Sequence, residues 1–122
     1  MNLSDLVEGA GKLESVEPFS YPKITEDIQV IRLNFHSMNC DIYAIEETDE
    51  IRLQESMAVE GMVVNKRSTV FQVCVGSELL WAWDMTNNQG FSDALKFEFK
   101  NGVSVELVVV ASSIKQFYVK EL

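Results

Sequence analysis

The chain of 122 residues is 47% hydrophobic and 24% charged, a composition that can bury a core and that argues against a disordered protein. It carries 19 acidic and 10 basic side chains, for a net charge of −9, which disfavours nucleic-acid binding because phosphates bind basic surfaces. These bounds predict a single domain spanning residues 1–122.

The sequence predicts neither export nor a membrane span. Residues 1–11 lack the basic start and the apolar segment of a secretory signal. Uninterrupted apolar runs such as Leu107–Ala111 are too short to cross a bilayer. We therefore expect a cytoplasmic protein that does not bind a membrane.

No cofactor or metal site is indicated by the sequence. His36 is the single histidine, which argues against a histidine-based metal centre. Cys40 and Cys74 lack a CxxC spacing, so we expect two free buried thiols, with one disulfide as the alternative. The sequence has no glycine-rich phosphate loop, and we predict no cofactor, no metal and no catalytic residue.

The first 24 residues predict a short helix and then an extended connection. Ser4 can cap a helix over Ser4–Glu8. Residues 14–24 contain both prolines, and proline lacks the backbone donor that a sheet requires. This segment is therefore predicted to be an extended connection anchored by Phe19 and Tyr21.

A hairpin is predicted next. Residues 27–35 alternate between apolar and polar side chains, as a half-buried strand does. Residues 40–46 form the returning strand after a four-residue turn over 36–39. This register pairs Leu33 with Ile42.

The excess of acidic side chains lies entirely in the first half of the chain. Residues 1–60 carry a net charge of −9, and residues 61–122 carry a net charge of zero. Four acidic residues cluster at the turn after the hairpin: Glu46, Glu47, Asp49 and Glu50. Their charge favours contact with a basic protein partner, and the alternative is an ordinary solvated surface.

Residues 79–111 have the clearest strand pattern, with three strands joined by two tight turns. The turn Lys100–Gly102 fits a three-residue loop that pairs Phe97 with Val105. A two-residue loop would instead place aromatic side chains opposite charged ones. Glycine in third place supplies the left-handed conformation that such a loop needs.

The turn Asn88–Gly90 fits the same loop form. In this register Trp83 pairs with Leu95, and Trp81 pairs with Phe97. Both tryptophans then share one face with the phenylalanines, and side chains of this size each bury about 150–250 Å². We therefore expect this aromatic face to be sealed inside the protein.

These elements predict an α+β protein that is mainly antiparallel β. Meandering hairpins form either a curved sheet or two packed three-stranded units, with a short N-terminal helix. Residues 27–53 and 93–119 repeat the order strand, turn, strand, which favours two units, although alternation alone can produce such a likeness. Residues 70–75 are predicted to be a further strand or extended arm.

Asp93 is out of place on the predicted apolar face, where it lies opposite Met85. A buried carboxylate needs hydrogen-bond donors or must be neutral. Asp93 either accepts hydrogen bonds from the turn Thr86–Gln89 and fixes the hairpin, or is a general base in an aromatic pocket. We prefer the first interpretation, because aspartates often bind turns.

The same turn suggests a ligand site as a second hypothesis. Aromatic faces combined with amides and a hydroxyl suit a sugar or another small polar ligand. The alternative is that these side chains only form the turn. The candidate ligand-binding residues are Trp83, Thr86, Asn87, Gln89, Phe91 and Asp93.

A spaced motif runs through this region: a glycine, then Leu-x-Trp-x-Trp, then Thr-Asn-x-Gln-Gly-aromatic-x-Asp. The matching residues are Gly76, Leu79, Trp81, Trp83, Thr86, Asn87, Gln89, Gly90, Phe91 and Asp93. Phe91 stands where we expect tyrosine. The run from Phe71 to Phe99 resembles a small uncharacterised bacterial domain family and covers about a third of the chain. The resemblance implies a bacterial origin and a shared fold, but no catalytic residue.

Three functions are compatible with the sequence. The preferred hypothesis is a small acidic, non-enzymatic protein-binding protein, by analogy with the immunity proteins of bacterial toxin systems. The second is a small-polar-ligand-binding protein or an enzyme with its site at the turn Asn87–Asp93. The third is a structural or oligomerisation module that pairs through an exposed sheet edge.

Overall fold

The computed structural model describes all of residues 1–122, which form one short α-helix and nine strands. The helix α1 covers Leu3–Gly9. The strands are β1 (Leu13–Ser20), β2 (Val30–Phe35), β3 (Asn39–Ile45), β4 (Glu50–Gln54), β5 (Val63–Val64), β6 (Leu79–Thr86), β7 (Ser92–Phe99), β8 (Ser104–Val110) and β9 (Ser113–Val119). The predicted fold class, mainly antiparallel β with a short N-terminal helix, is confirmed.

The strands form two antiparallel sheets. The first sheet has the order β4-β3-β2-β1-β5, and the second has the order β6-β7-β8-β9. Each sheet contains a meander of four strands, one more than predicted. The additional strand is β1 in the first sheet and β6 in the second. A core of 21 buried residues draws side chains from both sheets, which is how each sheet covers the inner face of the other.

The N-terminal residues differ from the prediction in two respects. Asn2 Oδ1 accepts a hydrogen bond from Asp5 N at 2.8 Å, so Asn2 caps α1, and the predicted cap at Ser4 is wrong. The predicted connection over residues 14–24 is also wrong, because most of it belongs to β1, between β2 and β5.

Pro18 is compatible with β1 because of the direction in which its nitrogen points. The Pro18 carbonyl accepts a hydrogen bond from Asn65 N at 2.7 Å on the β5 side of the strand. In an antiparallel strand the nitrogen and carbonyl of one residue point to the same side. The missing N–H therefore costs no hydrogen bond to β2, and the strand continues through Phe19, which is buried.

The β2–β3 hairpin has a tighter turn than predicted. Phe35 N donates to Met38 O at 3.0 Å, which leaves a two-residue loop. Leu33 pairs with Cys40 rather than with Ile42, so the predicted register is wrong by two residues. An even shift leaves every side chain on its predicted face, which is why the inner face of this hairpin was predicted correctly.

The β7–β8 hairpin has the predicted register. Phe97 pairs with Val105 and Leu95 with Leu107, and Phe99 N donates to Val103 O at 2.9 Å. These pairs confirm the three-residue loop that the burial pattern selected.

The β6–β7 pairing overturns the prediction that the tryptophans are sealed inside. Two bulges shift the register between them by one residue, with Leu80 as the extra residue on β6 and Asp93 as the extra residue on β7. Trp83 therefore pairs with Lys96 and lies on the outer face. A one-residue shift moves every side chain to the opposite face, and Trp81 is 57% exposed.

Packing explains why β6 turns its tryptophans outward. The helix α1 lies against β6, and Ala82, the small residue between the two tryptophans, packs against the core. The segment Val70–Cys74 is a 3₁₀ helix rather than the predicted strand. It buries Phe71 completely, with the ring centroid 5.7 Å from that of Phe97, so this phenylalanine takes the core position that the tryptophans were predicted to fill.

The two cysteines are free and buried. Burial raises the pKa of the Cys40 thiol to about 12, and the nearby Asp41 carboxylate adds to this shift. Burial also raises the pKa of Cys74 to about 11. Both thiols are therefore protonated and unreactive at neutral pH.

No helix in the structure has the length and apolar character that crossing a membrane requires.

Candidate functional site

An ion pair between a buried carboxylate and a partly exposed guanidinium lies on the outer face of the first sheet. Asp41 on β3 is 0% exposed and pairs with Arg32 on β2. Arg32 Nε and Nη2 donate to the two carboxylate oxygens of Asp41 at 2.9 Å and 3.0 Å. This hydrogen bonding to Asp41 raises the pKa of Arg32 above its ordinary value and outweighs the opposing effect of burial. Such two-point pairing fixes both side chains.

The same ion pair holds the loop that follows β4. Met57 N donates to Asp41 Oδ2 at 2.7 Å, and Arg32 Nη2 donates to Met57 O at 3.0 Å. We call Arg32, Asp41 and the Met57 backbone the clamp. Since the clamp satisfies both backbone groups of Met57, it fixes the position of the Met57 side chain on the sheet.

A cavity of about 290 Å³, with both polar and apolar walls, opens beside the clamp. Seven of its ten lining residues are apolar. Tyr43 and Val30 are cross-strand neighbours on β3 and β2, and Met57, Met62 and Tyr21 lie around them. The cavity is at the small end of the range for ligand sites, so it fits one side chain better than a large ligand.

The predicted acidic cluster divides into two parts. Glu46 and Glu47 are exposed and line this cavity. Neither takes part in the ion pairs of the chain. These two carboxylates therefore face solvent beside an apolar surface, where a cationic group can approach them.

The other two acidic residues bind the second sheet. Asp49 Oδ1 accepts hydrogen bonds from Ser112 N and Oγ at 2.8 Å and 3.1 Å. Glu50 Oε2 accepts one from Ser92 N at 3.1 Å. The Ser92 hydrogen bond is the main cause that lowers the pKa of Glu50. Asp49 and Glu50 thus hold the acidic turn against the second sheet and are less available to a partner.

The turn between β6 and β7 satisfies its own polar groups. Asn87 Oδ1 accepts hydrogen bonds from Gln89 N at 2.9 Å and Phe91 N at 3.2 Å. Asn87 Nδ2 donates to Asp93 Oδ2 at 3.0 Å. Asp93 is thus bound to the turn, as the preferred interpretation has it, but it occupies a bulge rather than the apolar face opposite Met85.

The remaining predicted ligand-binding residues lie around this turn. Thr86 Oγ1 is 3.2 Å from Ser92 Oγ. Phe91 is 38% exposed, and Trp83 lies on the outer face under the Lys96 ammonium, 4.7 Å from its ring centroid. The five main surface cavities are lined by residues outside this turn. A ligand site at this turn stays a prediction.

We expect Asn87→Ala to weaken the hairpin. The substitution removes three hydrogen bonds, and the expected loss is about 1–2 kcal/mol of unfolding free energy. The measurement is urea denaturation, with the exposed neighbouring variant Asn88→Ala as control. Equal stabilities of the two variants would show that these hydrogen bonds do not hold the turn.

Comparisons with known proteins identify one family. A family model described as a family of unknown function (DUF6334) matches residues 4–122. Neither the curated proteins nor the solved structures include a significant match. The match extends from Ser4 in α1 through all nine strands, well beyond the stretch that carries the motif.

Proposed function

This chain belongs to DUF6334, a family of unknown function, and we propose that it is a non-enzymatic protein-binding protein. The proposed site is the cavity on the outer face of the first sheet, which receives an arginine or lysine side chain of a basic partner. The observation that carries the proposal is the position of Glu46 and Glu47, two exposed carboxylates outside the ion pairs of the chain, at a cavity lined by tyrosine and methionine side chains.

The lining of the cavity suits the chemistry of an arginine side chain. The aliphatic part of arginine packs on apolar surface while its charged end stays near water. Tyrosine rings attract a guanidinium group over their faces, and Tyr21 and Tyr43 both line the cavity. Met57 and Met62 provide adaptable apolar contacts. Glu46 and Glu47 then pair with the charge.

The charge distribution supports the same partner. The net charge of −9 resides in residues 1–60, which include the whole meander that carries the cavity. A field of this sign speeds the approach of a cationic protein. A basic toxin domain is one partner of this kind, in line with the analogy to immunity proteins.

The experiment uses hexa-arginine as the probe and hexa-citrulline as the uncharged control of the same shape. We expect hexa-arginine to shift the methyl signals of Met57 and Met62 in NMR spectra and hexa-citrulline to leave them unchanged. Binding should weaken as salt is added, because exposed charges are screened. Unchanged methyl signals with hexa-arginine would contradict the proposed site.

A pair of matched variants separates the site from general attraction to an acidic protein. The double variant Glu46→Gln/Glu47→Gln removes two charges at the cavity. The control Glu8→Gln/Glu121→Gln removes two exposed charges elsewhere. We expect the first to weaken hexa-arginine binding about tenfold more than the second, as for a contact worth about 1.4 kcal/mol. Equal weakening would mean that only net charge matters.

A cytoplasmic location is part of the proposal. Two free thiols, at Cys40 and Cys74, support a reducing compartment.

A further inference from the structure

The outer face of the second sheet exposes large apolar side chains. Trp81 is 57% exposed, Trp83 is 40% and Phe117 is 52%. Val119 on the same face is 37% exposed. The helix α1 and the first sheet contribute to the core on the opposite face. Exposed aromatic side chains are enriched at protein–protein contacts.

The side chains on this face form regular rows across the four strands. The central row runs Trp83, Lys96, Glu106, Phe117. The next row runs Trp81, Glu98, Ser104, Val119. Aromatic residues therefore occupy the outer strands, and one cation and one anion lie side by side at the centre.

The two central charges are not paired with each other within the chain. Lys96 Nζ lies over the Trp83 ring, 4.7 Å from its centroid. The ion pairs of the chain include neither Lys96 nor Glu106. The cation and the anion are therefore both available to a partner that presents the same two charges in the opposite order.

A second copy of the chain presents Lys96 and Glu106 in the opposite order when it is turned by a two-fold rotation to face the first. We propose that two copies dock through the outer faces of their second sheets, about a two-fold axis that runs parallel to the strands between β7 and β8. This axis places Lys96 opposite the partner's Glu106, and Trp83 opposite the partner's Phe117. The contact is self-complementary, as a two-fold interface must be. Stacked sheets cross at about 30°, and the central charges stay opposite each other at this angle because they lie beside the axis.

The size of the face sets the expected affinity. Four strands about 4.8 Å apart and seven residues of about 3.3 Å give a footprint of about 19 Å by 23 Å, or about 440 Å². This is smaller than the roughly 800 Å² per partner of a standard interface. We therefore expect a reversible dimer with a dissociation constant in the micromolar range, independent of the basic partner proposed above.

Sedimentation equilibrium of charge variants tests the two-fold pairing. Lys96→Glu places two acidic residues at the centre of the face, and Glu106→Lys places two basic ones there. Each variant alone should dimerise at least about tenfold more weakly than the natural chain, because like charges then face each other. An equimolar mixture of the two should recover the dimer, because each copy then presents the charge that the other lacks.

Recovery in the mixture cannot come from contacts within one chain. Dimers of each variant alone, or a mixture that stays monomeric over about 1 µM to 1 mM while the natural chain dimerises, would overturn the proposed arrangement. A natural chain that stays monomeric over that range would overturn the dimer itself.

An apolar variant gives an independent readout. Trp81→Gln should weaken the dimer, whereas Val73→Gln, which changes an equally exposed residue on the 3₁₀ helix away from this face, should not. Circular dichroism confirms that both variants are folded. Equal effects of the two substitutions would place the contact elsewhere on the surface.

Discussion

Asp41→Ala is expected to destabilise the protein strongly. It leaves the Arg32 guanidinium without its carboxylate partner and Met57 N without an acceptor. Removing one member of a fully buried pair costs about 3–5 kcal/mol. Because 21% of the Arg32 side chain is exposed, we expect about 2–4 kcal/mol, still a large part of the total stability of a small domain. Urea denaturation at neutral pH measures the loss.

Two comparisons make this result specific to the clamp. Asp84→Ala removes an exposed carboxylate from β6 and should change the unfolding free energy by less than about 0.5 kcal/mol. The double variant Arg32→Met/Asp41→Leu should recover only part of the loss: it removes the unpaired guanidinium charge, but Met57 N and Met57 O still lose their partners. A double variant less stable than Asp41→Ala would contradict this account of the clamp.

Phe97→Ala is the second large expected effect. The Phe97 side chain is 0% exposed and lies edge-on to Phe71, between the two sheets. Truncation of such a residue costs about 3–5 kcal/mol, because it removes apolar burial and leaves a cavity. Trp83→Ala should cost much less, although tryptophan is the larger residue, because Trp83 is 40% exposed.

The pair of variants reports on the register of β6. Both are compared at low micromolar concentration by urea denaturation, so that self-association contributes little. If Trp83→Ala destabilised the protein as much as Phe97→Ala, the tryptophan would be buried, and the bulges at Leu80 and Asp93 would not exist.

The register of β7 and β8 followed from the sequence because one loop length alone kept charges away from aromatic side chains. The register of β6 did not follow, because the sequence shows no feature that marks the bulges at Leu80 and Asp93. At the end of the strand Leu79 pairs with Phe99, which is also the pair that the predicted alignment of Trp81 with Phe97 gives two residues further along. Between the bulges every pair is shifted, since a bulge inserts one unpaired residue.

Tertiary packing overrode local preference in two further segments. Pro18 is typical of a chain outside a sheet, yet the direction of its nitrogen allows it in β1. The segment Val70–Cys74 has the composition of a strand but forms a 3₁₀ helix that covers the core. Neither outcome is encoded in the periodicity of the segment itself.

Of the residues at the candidate site, only the acidic ones were predicted from the sequence. Glu46 and Glu47 were predicted as partner-binding residues, and they lie at the cavity. Tyr21, Tyr43 and Met57 are distant in sequence and meet only in the folded chain. The clamp was missed because the predicted β2–β3 turn was two residues too long, and so Arg32 was not placed opposite Asp41.

The orientation of the second sheet, which turns Trp81 and Trp83 to the solvent and keeps Phe97 inside, underlies both the fold and the proposed dimer. Acrylamide quenching of tryptophan fluorescence in dilute native protein tests it directly, because these are the two tryptophans of the chain. We predict efficient quenching and an emission maximum close to that of the urea-unfolded protein. A blue-shifted emission that acrylamide fails to quench would place both indole rings in the core and contradict this orientation.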